Sequence, residues 1–333
     1  MLTIGIDYTS AVHQSAGIGR YTKELVKALA QLDSTTEALT YRLFVASART
    51  AQPADLPGTN FSWHRTRLTE RWLARFWFRL HVPLRIERWT GPLDLFHAPD
   101  FFLPPLQPAT RSLVTVHDLS FVREPETVMP GMTMPLNSRV PRSVERADHV
   151  IAVSEATRQD LIELYGTAPE KITTLYHGVN PEFSPVKDKA RLAEVRQKYG
   201  LGSRPFVLSV GTIQPRKNYQ RLIQAFAQVE TKAGLVIAGR PGWDYQTVYD
   251  EVARHELADR VQFLGFVADS DLPALYSAAT LFAYPSLYEG FGLPALEAMA
   301  CGTPVIAANR SALPEVVGQA GRLVDPFEVA GWT

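Results

Sequence analysis

Residues 281–308 read LFAYPSLYEGFGLPALEAMACGTPVIAA. Two short β-type runs, LFAYPS (281–286) and TPVIAA (303–308), enclose a glycine-flanked loop and a helical stretch. Pro294 suits the first turn of a helix, where its missing N–H costs nothing, and Gly302 suits the position just past the end. The spacing therefore predicts a short helix from about Leu293 to Cys301. Strand, loop, helix and strand in immediate succession form the unit of a parallel sheet with crossover helices.

The same stretch carries chemistry. The first turn of a helix leaves backbone N–H groups unpaired, with partial positive charge, and Gly290 and Gly292 remove the side chains that would block an approaching anion. Glu289 stands outside the helix and Glu297 about one turn inside it. Two carboxylates repel phosphate but accept hydrogen bonds from hydroxyls. A ligand with phosphates in its middle and hydroxyl-rich groups at both ends satisfies the whole arrangement, and a nucleotide diphosphate sugar is such a molecule.

The pattern extends along the chain. LTIGIDY (2–8), YRLFVAS (41–47), LDLFHA (93–98), SLVTVHD (112–118), HVIAVS (149–154) and ITTLY (172–176) read as strands of a first half. FVLSVG (206–211), LVIAG (235–239), VQFLG (261–265), LFAYPS and TPVIAA read as those of a second. Amphipathic helical windows lie between them. HGVNPEFSPVKDKARLAEVRQKYGL (177–201) is first proline-marked and then charged, as a linker leading into the first helix of a new domain would be. The expectation is α/β with two doubly wound Rossmann-like domains, 1–183 and 184–333, facing a cleft, since such sheets bind ligands at the carboxyl ends of their strands.

Composition bounds the function. A chain of 333 residues exceeds one ordinary core. Lys plus Arg number 34 and Asp plus Glu 34, so no global field attracts nucleic acid and any anion site is local. A single cysteine excludes an internal disulfide and a thiolate metal cluster and fits a reducing compartment. MLTIGIDYTS enters a strand directly, and no run approaches a spanning helix, so the reading is cytoplasmic.

GTIQPRKN (211–218), GFVADSDLPALYSAA (265–279) and YEGFGLPALEAMACGTPVIAANRSALPEVVG (288–318), together with GIGRY near the start and HD after a central strand, resemble the retaining GT-B-fold glycosyltransferases of family 4, which include bacterial mannosyl- and glucosyltransferases. The resemblance implies the GT-B fold and transfer of a hexose, mannose from GDP-mannose as the first choice, to a saccharide or lipid-linked acceptor with retention. It implies polysaccharide biosynthesis, no cofactor and no metal. Glu289 would touch the donor sugar and Glu297 the ribose hydroxyls. Lys217 matches the pattern lysine on the diphosphate. Where an arginine directly after the strand's glycine is expected, this chain has Thr212 after Gly211, and Arg216 stands as its replacement. His117 falls beside the reacting sugar. Gly17 and Gly19 would approach the donor phosphates, and Val267, Phe291 and Leu293 complete the donor-binding positions. The resemblance also continues beyond VDPFEVAGWT, so the chain is expected to be truncated there.

Other readings attach to several of these residues. GIGRYT begins like a dinucleotide fingerprint, but Thr22 replaces its third glycine and no acidic residue closes YRLFVAS, which weakens a nicotinamide-dependent dehydrogenase. A non-catalytic sugar-nucleotide binder would keep the donor motifs. Asp269-Ser270-Asp271 looks like a metal-binding DxD but precedes LPALYSAA, where an acidic residue caps a helix. Asn218 is read as the cap of the helix after PRK, and Cys301 as packing. RTRLTERWLARFWFRLHVPLRIERW (65–89) holds seven arginines against two glutamates. As one helix it sets Arg71, Arg75 and Arg79 on one face and Leu73, Phe76, Trp77 and Leu80 on the other. That helix either covers the first sheet or meets an anionic leaflet.

Overall fold

The computed structural model describes residues 2–14, 17–32, 39–46 and 59–333, which divide into two units. The first comprises Met1–His117, Met134–Val153 and Thr157–Leu175; the second comprises Asp118–Thr133, Ser154–Ala156 and Tyr176–Thr333.

In the first unit β1 (Leu2–Asp7), β2 (Leu39–Val45), β3 (Phe61–Arg65), β4 (Leu95–Ala98), β5 (Arg111–Val116), β6 (His149–Ala152) and β7 (Ile172–Thr174) form a parallel sheet of order β3-β2-β1-β4-β5-β6-β7. The chain winds outward from β1 to β3 and then returns to β4 on the other side, so the topological switch lies between β1 and β4. Ile6, Tyr41, Leu43 and Val26 of the Ile18–Leu32 helix pack one core.

The second unit repeats the plan with β8 (Phe206–Val210), β9 (Gly234–Ala238), β10 (Val261–Gly265), β11 (Leu281–Tyr284), β12 (Val305–Ala308) and β13 (Arg322–Val324), in the order β10-β9-β8-β11-β12-β13, again parallel. Both faces are covered. Leu208, Phe282 and Tyr284 pack against Tyr276 and Ala298 on one side, while Leu235, Ile237 and Ala283 meet Ile223 and Phe226 on the other. Strand alternation sends neighbours Phe282 and Ala283 to opposite layers, which is why these strands read as unbroken apolar runs. The expected helix is present as Leu293–Ala300, and the helix after the linker is Lys189–Lys198, capped by Asp188 accepting from the Ala190 N–H at 2.9 Å.

Two strands were absent from the sequence reading, β3 (FSWHR) and β13 (RLV). Both are edge strands with polar or basic residues and no apolar run, so periodicity gives no signal. Three local expectations are corrected. Asp271 precedes its helix without making a capping bond; its carboxylate instead takes Arg191 (2.6 Å), Lys198 (2.6 Å) and the Tyr199 hydroxyl (2.7 Å), tying the Lys189–Lys198 helix to Leu272–Ala278. Asn218 makes no capping bond either. The arginine-rich stretch is one α-helical turn, Glu70–Ala74, followed by a π-helical turn, Arg75–Arg79, and Leu80 is exposed. Cys301 is buried packing as read, and burial, with Glu297 adding to it, pushes its thiol up to about 11. No helix among the described residues is long and apolar enough to cross a membrane.

Candidate functional site

In the second unit the switch falls between β8 and β11, and the loops that leave their carboxyl ends are GTIQPRKN and PSLYEGFG. Pro215 opens a 3₁₀ turn, Pro215–Lys217, and Asn218 follows in the left-handed region at φ 56°. Asparagine tolerates this conformation better than most residues. Its side-chain amide donates to the carbonyls of Pro285 (3.0 Å) and Pro326 (2.9 Å). The basic turn is thereby fastened to the loop after β11, as it is by Leu287 N–H to Arg216 O at 2.8 Å.

This fastening assembles a buried ion cluster. Lys217 Nζ donates to Glu289 Oε1 at 2.6 Å and to the Tyr284 hydroxyl at 2.7 Å. Arg216 Nη1 lies 3.0 Å from Glu289 Oε2 and donates to Tyr288 O at 2.5 Å. Burial by itself would raise the Glu289 pKa, but the Arg216 and Lys217 charges outweigh it and hold the carboxyl at about 2. The two cations respond in opposite senses. For Lys217, burial outweighs the attraction of Glu289 and, with Arg216 repelling, brings its pKa down. For Arg216 burial is again the largest influence, yet Glu289 and Asp118 together overcome it and the pKa goes up. The Glu289 carboxylate has both cations within hydrogen-bonding distance, so the ionised state is the consistent one, and two cations around one carboxylate leave a net positive charge.

The glycine loop ends in Gly292, at φ 107°, a conformation that favours glycine, and a β-carbon there would come within 2.6 Å of Leu313 Cδ2, the end of a flexible side chain. The Glu289 N–H is held by Ser311 Oγ at 2.8 Å. Glu297 is 3% exposed and accepts from the Tyr276 hydroxyl at 3.0 Å; burial and then Glu297 raise the Tyr276 pKa, keeping it a donor. Gly290 is buried, Leu293 begins the helix, and the Phe291 ring meets His177 edge-on at 5.0 Å. Val267 has its side chain in the core. Gly211 is at φ 153°, and a β-carbon on it would lie 3.1 Å from both Lys217 Cε and the Tyr219 hydroxyl oxygen; across from it, a β-carbon on Gly239 would lie 1.9 Å from Gly211 O. Thr212 is exposed, and its methyl closes on Gly242. The structure thus brings Arg216, Lys217 and Glu289 into direct contact and fixes Glu297 on the helix that begins beside them.

The first unit holds the remaining candidates. His117 follows β5, and its Nε2 lies 2.8 Å from Pro99 O; only an N–H can bond a carbonyl, so Nε2 carries the proton. Its ring packs edge-on against Tyr21 at 4.9 Å and Phe101 at 5.7 Å. Gly17 is at φ 55°, and a β-carbon on Gly19 would strike Gln14 O at 2.3 Å and Ser10 O at 2.7 Å. A helix, Thr9–His13, intervenes between β1 and these glycines, and Thr22 is fully buried with its hydroxyl 3.1 Å from that of Ser10. Gly19 therefore serves helix-on-helix packing and Gly17 a left-handed turn, and the strand–glycine–helix turn of a dinucleotide site is not formed.

Sequence reasoning missed several residues here. Tyr284, Tyr276 and Ser311 hold the charged groups in place, but a buried tyrosine in a strand or helix looks like core. Asp7 and Asp100, at the ends of β1 and β4, were also missed. Burial and then Asp7 push Asp100 up to about 7, and burial raises Asp7. Among the described residues no group of three or more His, Cys, Asp or Glu is placed to hold a metal ion. A recess of about 320 Å³, lined by Leu201, Arg204, Pro205 and Gln262, opens at the amino ends of the second sheet, the opposite edge from the ion cluster.

Comparison with known proteins follows the same division. Residues 15–183 match the family model described as Glycosyltransferase Family 4, and residues 193–331 that described as Glycosyl transferases group 1. The chain is 34% identical over 326 residues to the O-antigen chain mannosyltransferase B of Escherichia coli, covering 94% of this chain and 84% of that protein. Among solved structures it resembles sucrose-phosphate synthase from Thermosynechococcus elongatus, with a TM-score of 0.76, 24% identity and coverage of 99% and 88%. It also resembles HepE of Anabaena in complex with UDP and glucose, with a TM-score of 0.72, 22% identity and the same coverage.

Proposed function

The chain belongs to glycosyltransferase family 4, and from that premise we propose that it moves mannose from a nucleoside diphosphate sugar, GDP-mannose first, to a hydroxyl of a saccharide or lipid-linked acceptor, with retention at the anomeric carbon and without a metal ion. The observation that carries the reading is the buried Arg216–Glu289–Lys217 cluster beside the Gly290–Gly292 loop and the start of the Leu293–Ala300 helix. The cations and the helix N-terminus stabilise negative charge on the departing diphosphate. An ammonium has three N–H donors, and Glu289 and Tyr284 use two, leaving the third for a phosphate oxygen. Glu297, oriented by the Tyr276 hydroxyl, accepts from ribose hydroxyls. Glu289 and, by the family resemblance, His117 act on the sugar as its anomeric carbon gains positive character. Mannose is favoured by the mannosyltransferase relative.

The test is a panel of sugar nucleotides followed by turnover. A ligand at a hundred times its dissociation constant stabilises by about 2.7 kcal/mol, a readable shift in melting temperature. GDP-mannose is expected to give the largest shift and, with an oligosaccharide acceptor, a product of the donor's own anomeric configuration by NMR, undiminished by EDTA. Binding without transfer to any acceptor would favour the non-catalytic binder. A shift with NAD alone would favour the dehydrogenase.

A further inference from the structure

On the reading that His117 acts on the sugar, we propose that Tyr21 and Phe101 form a slot that fixes the His117 ring, and that Tyr21 is the positioning residue through which the GIGRY stretch serves transfer. Every residue involved belongs to the first unit.

GIGRY forms no dinucleotide turn, and its residues instead place Tyr21. Gly19 lets the Ile18–Leu32 helix lie close against Thr9–His13, since a β-carbon on it would strike Gln14 O and Ser10 O. Thr22 is buried in the same contact, its hydroxyl 3.1 Å from that of Ser10. Tyr21, between them in sequence, closes the first helical turn with its N–H on Gly17 O at 2.9 Å. The packing of that turn therefore fixes where the Tyr21 side chain leaves the helix. Its hydroxyl lies 3.3 Å from Thr115 Oγ1, and its ring stands edge-on to His117, with 4.9 Å between centres and 81° between planes.

The sheet holds the other end of this contact. Side chains two apart on a strand share a face, so Thr115 near the end of β5 and His117 just past it point the same way. On neighbouring β4, His97 Nε2 lies 2.8 Å from the same Thr115 hydroxyl. Thr115 and His97 are buried; burial, with His117 adding to it, lowers the His97 pKa to about 4, and burial raises that of Tyr21. Near neutral pH the row His97, Thr115, Tyr21 is thus an uncharged chain of hydrogen bonds.

Thr115 fastens the second wall too. Its carbonyl accepts from the Phe101 N–H at 3.3 Å. Phe101 is at φ 45°, and a bulky residue in the left-handed region persists only where its surroundings hold it there. The Phe102 N–H closes the turn on Asp100 O. This conformation sets the Phe101 ring 5.7 Å from that of His117 at 69°, and leaves the Pro99 carbonyl 2.8 Å from His117 Nε2. Two rings at steep angles and one N–H bond determine both the plane of the imidazole and which nitrogen meets Pro99. A ring that turned over would exchange its two nitrogens, and misplacing a group at a reacting centre by about 1 Å can cost a hundredfold in rate.

The experiment joins nitrogen-15 spectra of the histidine rings in the whole chain, without substrate, to turnover of GDP-mannose with an oligosaccharide acceptor. The His117 signals are identified by their loss in His117→Gln. At about pH 8.5, two units above the ordinary histidine pKa, they should show a proton on Nε2 and none on Nδ1. Tyr21→Leu should draw the two shifts together as the tautomers mix. Thr115→Val keeps the shape, removes only the hydroxyl, and should do the same to a smaller degree. Tyr21→Leu should also lower kcat about tenfold to a hundredfold with the donor KM within about twofold, and should cost little more where His117 is already glutamine. A merely structural loss would act in full in that background. Melting temperature monitors every variant, and Tyr21→Phe supplies the same comparison if the leucine variant does not fold. Unchanged His117 shifts in Tyr21→Leu, or a normal kcat beside an inactive His117→Gln, would overturn the inference. A fully active His117→Gln would instead remove the role of His117 itself, and the inference with it.

Discussion

Replacing Glu289 with glutamine removes one charge from the buried cluster and little volume. In the intact protein the carboxylate joins Lys217 at 2.6 Å and Arg216 at 3.0 Å, and all three side chains are largely withdrawn from water. Glutamine leaves two cations sharing a low-dielectric space with only the Asp118 charge acting on them from further off, and breaking such a buried pair costs about 3–5 kcal/mol. An independent route gives a similar figure. The Glu289 carboxyl falls from an ordinary 4.5 to about 2 in the folded chain, a difference worth about 3 kcal/mol. Because the folded pKa is depressed, that contribution is present in full above about pH 4.5 and disappears as pH falls towards 2. In a domain of this size about 3–5 kcal/mol corresponds to a drop of roughly 6–20 °C in melting temperature. The two cations, released from Glu289, should hold free nucleoside diphosphate at least as tightly as before, so ligand should recover much of the lost stability. Transfer from the intact sugar nucleotide should nevertheless fall. The assays are thermal unfolding from pH 7 to pH 3, with and without GDP, and turnover at pH 7. If Glu289→Gln melts within a degree or two of the parent at pH 7 and keeps the parent's slope at acid pH, the charge cluster does not stabilise the fold as argued.

Lys217→Ala is expected to lower kcat by a hundredfold or more, since losing one group that stabilises transition-state charge typically costs about 3–4 kcal/mol; steady-state kinetics would show it, and near-normal kcat would remove Lys217 from the mechanism. Glu297→Ala should weaken the free nucleoside diphosphate in calorimetry, whereas a Glu289 substitution should spare it; equal losses would contradict the assignment of the two carboxylates to opposite ends of the donor. Asp271→Ala removes the carboxylate that takes three bonds tying two helices together and should lower the melting temperature by several degrees with donor affinity unchanged. A drop in affinity instead would give that carboxylate a role at the site.

The chain's own order of residues determined the fold class and the loops and helix of the candidate site, because both rest on local rules. Strands such as FVLSVG and LFAYPS sit in the middle of a sheet covered on both faces, so they are apolar at nearly every position, the buried Ser209 hydroxyl being bonded to Ala283 O. The Pro294 and Gly302 signals bound the intervening helix whatever lies around it. Arg216, Lys217, Glu289 and Glu297 were legible for the same reason: they stand in loops and at a helix start with recognisable spacing. β3 and β13 were not, since an edge strand is free to be polar, nor was the π-helical turn, which differs from an α-helix by a single backbone step. Only the tertiary structure decided partnership. Asn218 and Asp271 each stand where a helix cap is expected, and each reaches past its own helix to groups far away in sequence, Pro326 and Lys198 among them. Tyr284 and Tyr276 look like core until the fold sets their hydroxyls against Lys217 and Glu297. Spacing along a chain specifies which groups share a turn or a face, but which buried charge meets which depends on how the strands are ordered, and no local rule contains that order.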